Sequence, residues 1–309
     1  MSTDVRVSRI VNKLVHQPRL LLRNLNSLYH SRGMTRSYNT AGSDVMAEDW
    51  DNLIILDACR YDDFKRHVPF EGDLQSRISR GSTTFEFLLG NFGDSRFHDT
   101  VYITANPMLE RNKDIISTSF YKIYNIWRDD GWDEECRTVL AETVTDTARR
   151  VHKEYPSKRL LIHYMQPHFP FVQSTSRFDK RVPDPEEPTN MWTEVLTGQL
   201  DIQPQTVRQA YRHNLKYVFE NVQDLLQSLD GKTVISSDHG NVFGERSFPI
   251  PFREWGHPPT TFTEELVKVP WFVIESDDRR RIRAEEPVDT DLDVNDESVE
   301  KRLEDLGYV

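Results

Sequence analysis

Hydrophobic and polar positions follow two alternating patterns from Trp50 onward. Short runs of apolar and β-branched residues predict strands, and apolar positions at helical spacing predict the helices between them. The predicted strands are residues 52–56, 101–104, 159–164, 233–236 and 271–274, and the predicted helices are residues 84–89, 134–154 and 206–229. Strands that alternate with helices build a mostly parallel sheet covered on both faces. The pattern therefore predicts an α/β fold, a three-layer α/β/α sandwich.

The segment before this alternation is basic. The first 40 residues carry seven Arg or Lys against one acid, Asp4, and place apolar residues at helical spacing on either side of Pro18. Such a segment is typical of a helix on an anionic membrane surface, or of a helix packed against its own domain. Residues 5–28 are therefore predicted to make one of these two contacts.

Two further segments lack the alternation. Residues 169–204 are rich in proline and polar residues, which predicts a long loop or lid. Residues 275–297 are dense in charge, which predicts a solvated tether before a short amphipathic docking helix. The predicted organisation is a basic extension over 1–48, a catalytic domain over 49–276, and an acidic tether with its docking helix over 277–309.

Composition narrows the class of protein. Lys and Arg number 39 against 50 Asp and Glu, a net charge of −11, which disfavours nucleic acid as a partner because phosphate contacts require clustered basic residues. The two cysteines, Cys59 and Cys136, are too few for a disulfide framework. No apolar run approaches the roughly 20 residues that span a bilayer. These observations predict a cytoplasmic protein, with any contact to the inner membrane surface being peripheral.

Metal-competent side chains follow two of the predicted strands. Asp57 comes directly after strand 52–56, and Asp238 and His239 come after strand 233–236. Ligands of open α/β sheets bind at the carboxyl ends of the strands, and carboxylate and imidazole groups are ligands of divalent ions. Asp57 could equally cap a helix. Nearby Arg60 has a guanidinium that suits a phosphate or sulfate.

Three consecutive hydroxyl residues, Ser82, Thr83 and Thr84, follow a glycine and open a predicted helix. A hydroxyl at a helix N-terminus lies beside free backbone N–H groups that attract an oxyanion, so one of the three is a candidate nucleophile. The alternative is an N-cap without chemistry.

Two histidines lie in proline-bounded loops, His168 in "QPHFPF" and His257 in "GHPP". Either could contact a developing oxyanion or protonate a leaving group, and either could be structural.

Taken in order, these motifs resemble the sulfatase-like branch of the alkaline phosphatase superfamily, which includes arylsulfatases, phosphoethanolamine transferases and lipoteichoic acid synthases. "NLIILDACRYD" is similar to the first strand with its metal-binding Asp, "GSTTFEFL" to the nucleophile turn, and "QPHFPF" to the substrate-side loop. "TVISSDHG", "GHPPTTFTEELVKVPWFVIES" and "LEDLGYV" resemble the metal motif, the approach to the last strand and a common tail. The resemblance covers most of the chain and implies an alkaline-phosphatase-like fold.

The resemblance also implies roles. Asp57, Asp238 and His239 would bind a divalent ion (Mn, Zn, Ca or Mg), and one ion is better supported than two because Asp57 is followed by Ala58 rather than a second Asp. Ser82 would be the nucleophile, with Thr83 and Thr84 as alternatives. His168, His257 and Arg60 would contact an anionic substrate, either a small molecule or an ester linked to a lipid or glycan.

The function implied is metal-dependent hydrolysis or transfer of a phosphate ester through a covalent seryl or threonyl intermediate. "STTFE" lacks the Pro and Arg that follow the oxidised residue of formylglycine sulfatases, which disfavours that chemistry. Sulfate ester hydrolysis is the first alternative, and a non-catalytic protein that binds a glycan or acts as a scaffold is the second.

Overall fold

The computed structural model describes residues 17–128, 131–172, 190–288 and 296–308. The helices are α1 (Pro18–Ser31), α2 (Tyr61–His67), α3 (Thr84–Asn91), α4 (Met108–Arg111), α5 (Ala141–Glu154), α6 (Met191–Thr197), α7 (Pro204–Leu226), α8 (Glu264–Val267) and α9 (Asp296–Asp305). The strands are β1 (Asn52–Leu56), β2 (Asp73–Ile78), β3 (Arg96–Thr104), β4 (Ser119–Asn125), β5 (Arg159–Tyr164), β6 (Thr233–Ser236), β7 (Val242–Arg246), β8 (Arg253–Gly256) and β9 (Lys268–Ile274).

One seven-stranded sheet has the order β2-β9-β6-β1-β5-β3-β4, and β7 and β8 form a separate antiparallel pair. Strands β6, β1, β5, β3 and β4 pair in parallel, whereas β9 is antiparallel to both of its neighbours. The central strands β1 and β6 are buried at every residue, as expected of strands covered on both faces. The predicted α/β fold with a mostly parallel sheet is confirmed.

The five strands predicted from the sequence are all present. β1, β5 and β6 have the predicted bounds, while β3 and β9 begin earlier in the chain. The prediction missed β2, β4, β7 and β8; β2 is largely exposed, so it lacks a hydrophobic pattern. α5 begins at Ala141 rather than at residue 134, because Asp133 and Thr138 pair with each other and close a turn before the helix.

The proline-rich segment 169–204 is not a loop throughout. Residues Met191–Thr197 form α6, whose N-cap Asn190 accepts a hydrogen bond from the Thr193 amide at 2.9 Å. The helix ends at Gly198, which has a φ of 81° in the left-handed region. The prediction of a loop is therefore wrong at α6, and residues 173–189 lie outside the described part of the chain.

Helix α1 packs against the domain. Asn26, which is 2% exposed, donates to the Ile250 carbonyl at 3.0 Å and accepts from the Ile250 amide at 2.9 Å. Arg23 forms an ion pair with Glu254. The exposed leucines of this helix are Leu21, Leu25 and Leu28. The structure thus shows the packed arrangement for residues 17–28, while residues 5–16 lie outside the described chain and their membrane contact stays a prediction.

None of the helices within the described ranges is both long enough and apolar enough to cross a membrane.

Candidate active site

The parallel pairing of β1, β5 and β6 brings their carboxyl ends to one edge of the sheet. Ile55 is in register with Ser236, and Leu56 with Tyr164. The residues that follow these strands therefore converge, as the sequence predicts. Asp57, Asp238 and His239 are fully buried there, and one ligand atom from each lies within 4.8 Å of the others.

The local hydrogen bonds turn His239 toward the two carboxylates. Its Nδ1 bonds the Gly240 carbonyl at 2.7 Å, so the Nε2 lone pair faces Asp238 Oδ2 at 3.4 Å and Asp57 Oδ1 at 3.7 Å. Gly240 is needed at this turn because a Cβ there would lie 2.0 Å from the Glu265 carbonyl oxygen. The imidazole is thus held in the tautomer that can bind a cation.

The three groups fit a divalent ion. Asp57 Oδ1 is buried and makes no hydrogen bond with the described residues, so one carboxylate oxygen is left for another partner. Burial, and then the negative charge of Asp238, raise the pKa of Asp57 well above its ordinary value. A bound cation would offset both the burial of the Asp57 charge and its repulsion by Asp238. Two carboxylates and one imidazole suit zinc or manganese, so the chemistry of the group agrees with the predicted metal site.

The hydroxyl of Thr84 lies inside this group. Thr84 is the first residue of α3, and its Oγ1 donates to Asp238 Oδ2 at 2.8 Å. The same oxygen is 3.3 Å from His239 Nε2 and 3.5 Å from Asp57 Oδ2. A hydroxyl at the start of a helix is also beside the free N–H groups of the first turn. Thr84 therefore has the geometry expected of a nucleophile at a metal site.

Ser82 and Thr83 have other partners. Ser82 Oγ lies 3.0 Å from both Glu86 Oε2 and the Pro258 carbonyl oxygen, and it accepts from the Thr261 amide at 3.2 Å. Thr83 is the N-cap of α3 and accepts from the Glu86 amide. The Ser82 hydroxyl ties the helix start to the loop after β8, and the Thr83 hydroxyl caps the helix, which agrees with the structural alternative for this stretch.

The two loop histidines contact each other beside the group. His168 Nε2 lies 2.9 Å from His257 Nε2, and His168 Nδ1 bonds the Phe169 carbonyl. His168 therefore accepts at Nε2, and burial lowers its pKa to about 4, so its imidazole is neutral near pH 7. His257 Nδ1 makes no hydrogen bond with any described residue, so it is free to meet a substrate.

Arg60 is engaged elsewhere. Its guanidinium donates to Asp62, to Glu245 and to the Asn241 carbonyl oxygen. No hydrogen bond among the described residues joins it to the metal-competent group, so contact with a substrate stays a prediction for Arg60.

Three residues of the site were not predicted from the sequence: Asn106, His163 and Tyr308, although Tyr308 lies in the tail "LEDLGYV". Asn106 follows β3 and donates to Asp57 Oδ2 at 2.8 Å. His163 lies in β5 with Nε2 at 3.8 Å from the same oxygen, and burial lowers its pKa to about 4. Tyr308 donates to Asp57 Oδ2 at 2.7 Å. The order of the strands brings the first two here and the docking of α9 brings the third.

A pocket of about 250 Å³ adjoins the group, with His257, Tyr308 and Thr83 in its wall. Its other lining residues are largely apolar or aromatic: Phe85, Met108, Trp192, Trp255, Pro258, Pro259, Gly307, Asn190 and Arg23. Arg23 is already paired with Glu254. The pocket could therefore take the organic part of an ester whose anionic part lies at Thr84.

Comparison with known proteins gives one family match. A family model described as Sulfatase matches residues 71–296, which is most of the chain and includes Thr84, Asp238 and His239. A search of curated protein sequences gives no match.

Several solved structures are similar to the chain. The C-terminal periplasmic domain of the phosphoethanolamine transferase EptC from Campylobacter jejuni is 14% identical, with a TM-score of 0.45, over 73% of this chain and 78% of that one. The integral membrane protein EptA, a lipooligosaccharide phosphoethanolamine transferase from Neisseria meningitidis, is 13% identical, with a TM-score of 0.45, over 86% of this chain and 57% of that one. The lipoteichoic acid synthase LtaP from Listeria monocytogenes is 12% identical, with a TM-score of 0.40, over 83% of this chain and 72% of that one. These similarities are distant.

The cytoplasmic location predicted from the sequence is wrong by this comparison, because the EptC structure is a periplasmic domain and EptA is an integral membrane protein. Two cysteines and a missing apolar run do not identify a compartment.

Proposed function

Because this chain belongs to the sulfatase family, within the alkaline phosphatase superfamily of hydrolases and transferases, we propose that it cleaves a phosphate ester by transferring the phosphoryl group to the Thr84 hydroxyl. The observation that supports this choice is the position of Thr84 Oγ1, within 3.5 Å of Asp238, His239 and Asp57. Ser82, which the family resemblance implies as the nucleophile, instead bonds Glu86 and Pro258.

The chain's own residues supply most of the first step. Thr84 Oγ1 attacks phosphorus, and Asp238 Oδ2, 2.8 Å away, accepts the hydroxyl proton as the new P–O bond forms. The bond to the leaving alcohol breaks, and its oxygen departs with the bonding electrons. The N–H groups of the first turn of α3 other than that of Glu86, which Thr83 caps, stabilise the equatorial oxygens of the phosphoryl group. A divalent ion held by Asp57, Asp238 and His239 would supply positive charge that stabilises the charge developing on these oxygens.

His257 is the proposed acid for the leaving group. Its Nδ1 has no partner among the described residues, and the residue lines the adjoining pocket. Burial, and then His239 and His168, hold the pKa of His257 well below its ordinary value. A bound phosphoryl dianion opposes this effect by stabilising the imidazolium, which then donates its Nδ1 proton to the leaving oxygen. His168 holds the opposite edge of the ring through the contact between the two Nε2 atoms. Water or an acceptor alcohol then takes the phosphoryl group from Thr84.

The test compares Thr84→Val with Ser82→Ala after reconstitution with manganese or zinc. Aryl phosphate monoesters, phosphodiesters and aryl sulfates are assayed side by side. We expect Thr84→Val to lower kcat for the phosphate substrate roughly 10³-fold or more, because the nucleophile is lost. Ser82→Ala serves as the matched control and should keep most of the activity. Acid-quenched wild-type protein should carry one phosphoryl group on the peptide that contains Thr84.

The outcomes separate the alternatives. Thr84→Val with wild-type turnover would reject Thr84 as the nucleophile. Faster turnover of aryl sulfates than of phosphates would favour the sulfatase alternative, which the family's name supports. A metal-free protein that turns over none of the three esters, even after reconstitution, would favour the non-catalytic alternative.

A further inference from the structure

We propose that Tyr308, which follows helix α9, is a positioning residue of the active site and that its hydroxyl aims the Asp57 carboxylate at the metal ion. This inference rests on the proposed function, since it gives Tyr308 a role in the same site. Nothing in the charge or spacing of the sequence links Tyr308 to Asp57, from which it is separated by 251 positions.

The main chain fixes the position of Tyr308. The Gly307 amide donates to the Glu304 carbonyl and the Tyr308 amide donates to the Leu303 carbonyl, both at 3.0 Å. With Gly307 at a φ of 76°, these two bonds form a Schellman motif at the end of α9. Leu303 and Leu306 are buried in the main hydrophobic core, so the helix that carries the motif is anchored.

The ring of Tyr308 is held as well. It stacks on the His168 imidazole with ring centroids 4.9 Å apart and planes inclined by 9°. The His257 ring lies on another side, with centroids 5.8 Å apart. A phenol packed in this way has little freedom to move its hydroxyl, which is the condition for orienting another group.

The hydroxyl completes a closed set of hydrogen bonds around one oxygen of Asp57. Tyr308 donates to Asp57 Oδ2 at 2.7 Å and accepts from Asn106 Nδ2 at 2.9 Å. Asn106 Nδ2 also donates to Asp57 Oδ2 at 2.8 Å. These partners engage Oδ2, while Oδ1 has none among the described residues and faces His239 Nε2. The carboxylate is thereby turned so that its free oxygen points at the other metal-competent groups, the usual role of a hydrogen-bonded partner behind a ligand.

The same hydroxyl lies 3.1 Å from Thr84 Oγ1. Thr84 donates its proton to Asp238, so its oxygen remains available as an acceptor or nucleophile. Tyr308 thus contacts both the predicted metal ligand Asp57 and the proposed nucleophile Thr84. Removal of its hydroxyl should therefore lower both the metal affinity and the turnover.

The test is Tyr308→Phe, which keeps the ring and removes only the hydroxyl. Tyr124→Phe is the matched control, because the Tyr124 hydroxyl bonds Glu154 and Tyr155 and not the site. We expect Tyr308→Phe to weaken Mn²⁺ binding in calorimetric titrations about 10–100-fold and to lower kcat more than it changes KM, because removal of such a partner typically has this effect. The melting temperature in EDTA should match that of Tyr124→Phe.

A double variant tests whether Asn106 and Tyr308 act together on Asp57. Asn106→Ala and Tyr308→Phe act on the same oxygen, so their effects on Mn²⁺ affinity should be non-additive in the double variant. Wild-type Mn²⁺ affinity together with wild-type kcat in Tyr308→Phe would overturn the inference, and so would faster turnover, which would mean that the tyrosine obstructs the site. If the wild-type chain turns over no ester, the proposed function fails, and the Mn²⁺ titration still decides the role of Tyr308. A wild-type chain that binds neither Mn²⁺ nor Zn²⁺ in these titrations rejects both.

Discussion

Asp57 has one carboxylate oxygen with two hydrogen-bond donors and one that has no donor among the residues the structure describes. Burial and the nearby Asp238 raise its pKa, so the metal-free protein holds a proton there to a higher pH than an ordinary aspartate does. A divalent ion binds the deprotonated carboxylate and must displace that proton.

Metal binding should therefore release protons and tighten as the pH rises. The observed binding enthalpy of Mn²⁺, measured in buffers of different ionisation enthalpy, should vary with the buffer. Asp57→Asn removes the titrating group. The enthalpy of any Mn²⁺ binding that this variant retains should therefore depend less on the buffer. A wild-type enthalpy that is the same in every buffer would contradict a proton on Asp57.

The sequence predicts the single residues of this site only where they follow a strand in the chain. Asp57, Asp238 and His239 do so, and the structure brings them together. Asn106 and Tyr308 reach Asp57 through the order of the strands and the docking of a distant helix. The choice among Ser82, Thr83 and Thr84 depends on the rotation of α3 about its axis, which the hydroxyl run does not specify.

At the scale of secondary structure, helix α1 shows how one pattern allows two environments. Its basic, amphipathic sequence predicts either membrane contact or packing, and the structure has Asn26 buried against the Ile250 backbone. A reciprocal pair of hydrogen bonds to one residue requires a packed helix. Periodicity alone cannot reveal that partner, because Ile250 lies 224 positions away.

Asn26→Ala should lower the free energy of unfolding by about 1–3 kcal/mol, because it leaves the Ile250 amide unpaired and removes one of the two donors to the Ile250 carbonyl, which Ser247 Oγ still contacts. Urea denaturation would measure the loss. Asn24→Ala is the matched control, since Asn24 is exposed on the same helix and Ala favours helix. Equal stability of the two variants would mean that α1 does not pack as described.

At the scale of the whole molecule, the buried carboxylate pair costs stability when no cation is present. Saturating metal should therefore stabilise the chain, by about 2.7 kcal/mol at a concentration 100 times Kd. Asp57→Asn should behave in the opposite way: more stable than wild type in EDTA, because an amide neither carries a charge beside Asp238 nor has to take up a proton, and little changed by metal. Thermal unfolding of wild type and Asp57→Asn, each with and without Mn²⁺, checks both predictions. If Mn²⁺ raises the melting temperature of Asp57→Asn as much as that of wild type, the ion binds elsewhere.

The hydrogen bond between Tyr308 and Asp57 also has a consequence for the order of folding. It joins residues 251 positions apart, and the β1–β6 pairing beside it joins Asn52 to Thr233. Contacts this distant in sequence close large loops, and topologies rich in them fold slowly. In refolding experiments, far-UV circular dichroism should recover before the chain regains its affinity for metal. The ability to bind the ion would then report that the last helix has docked.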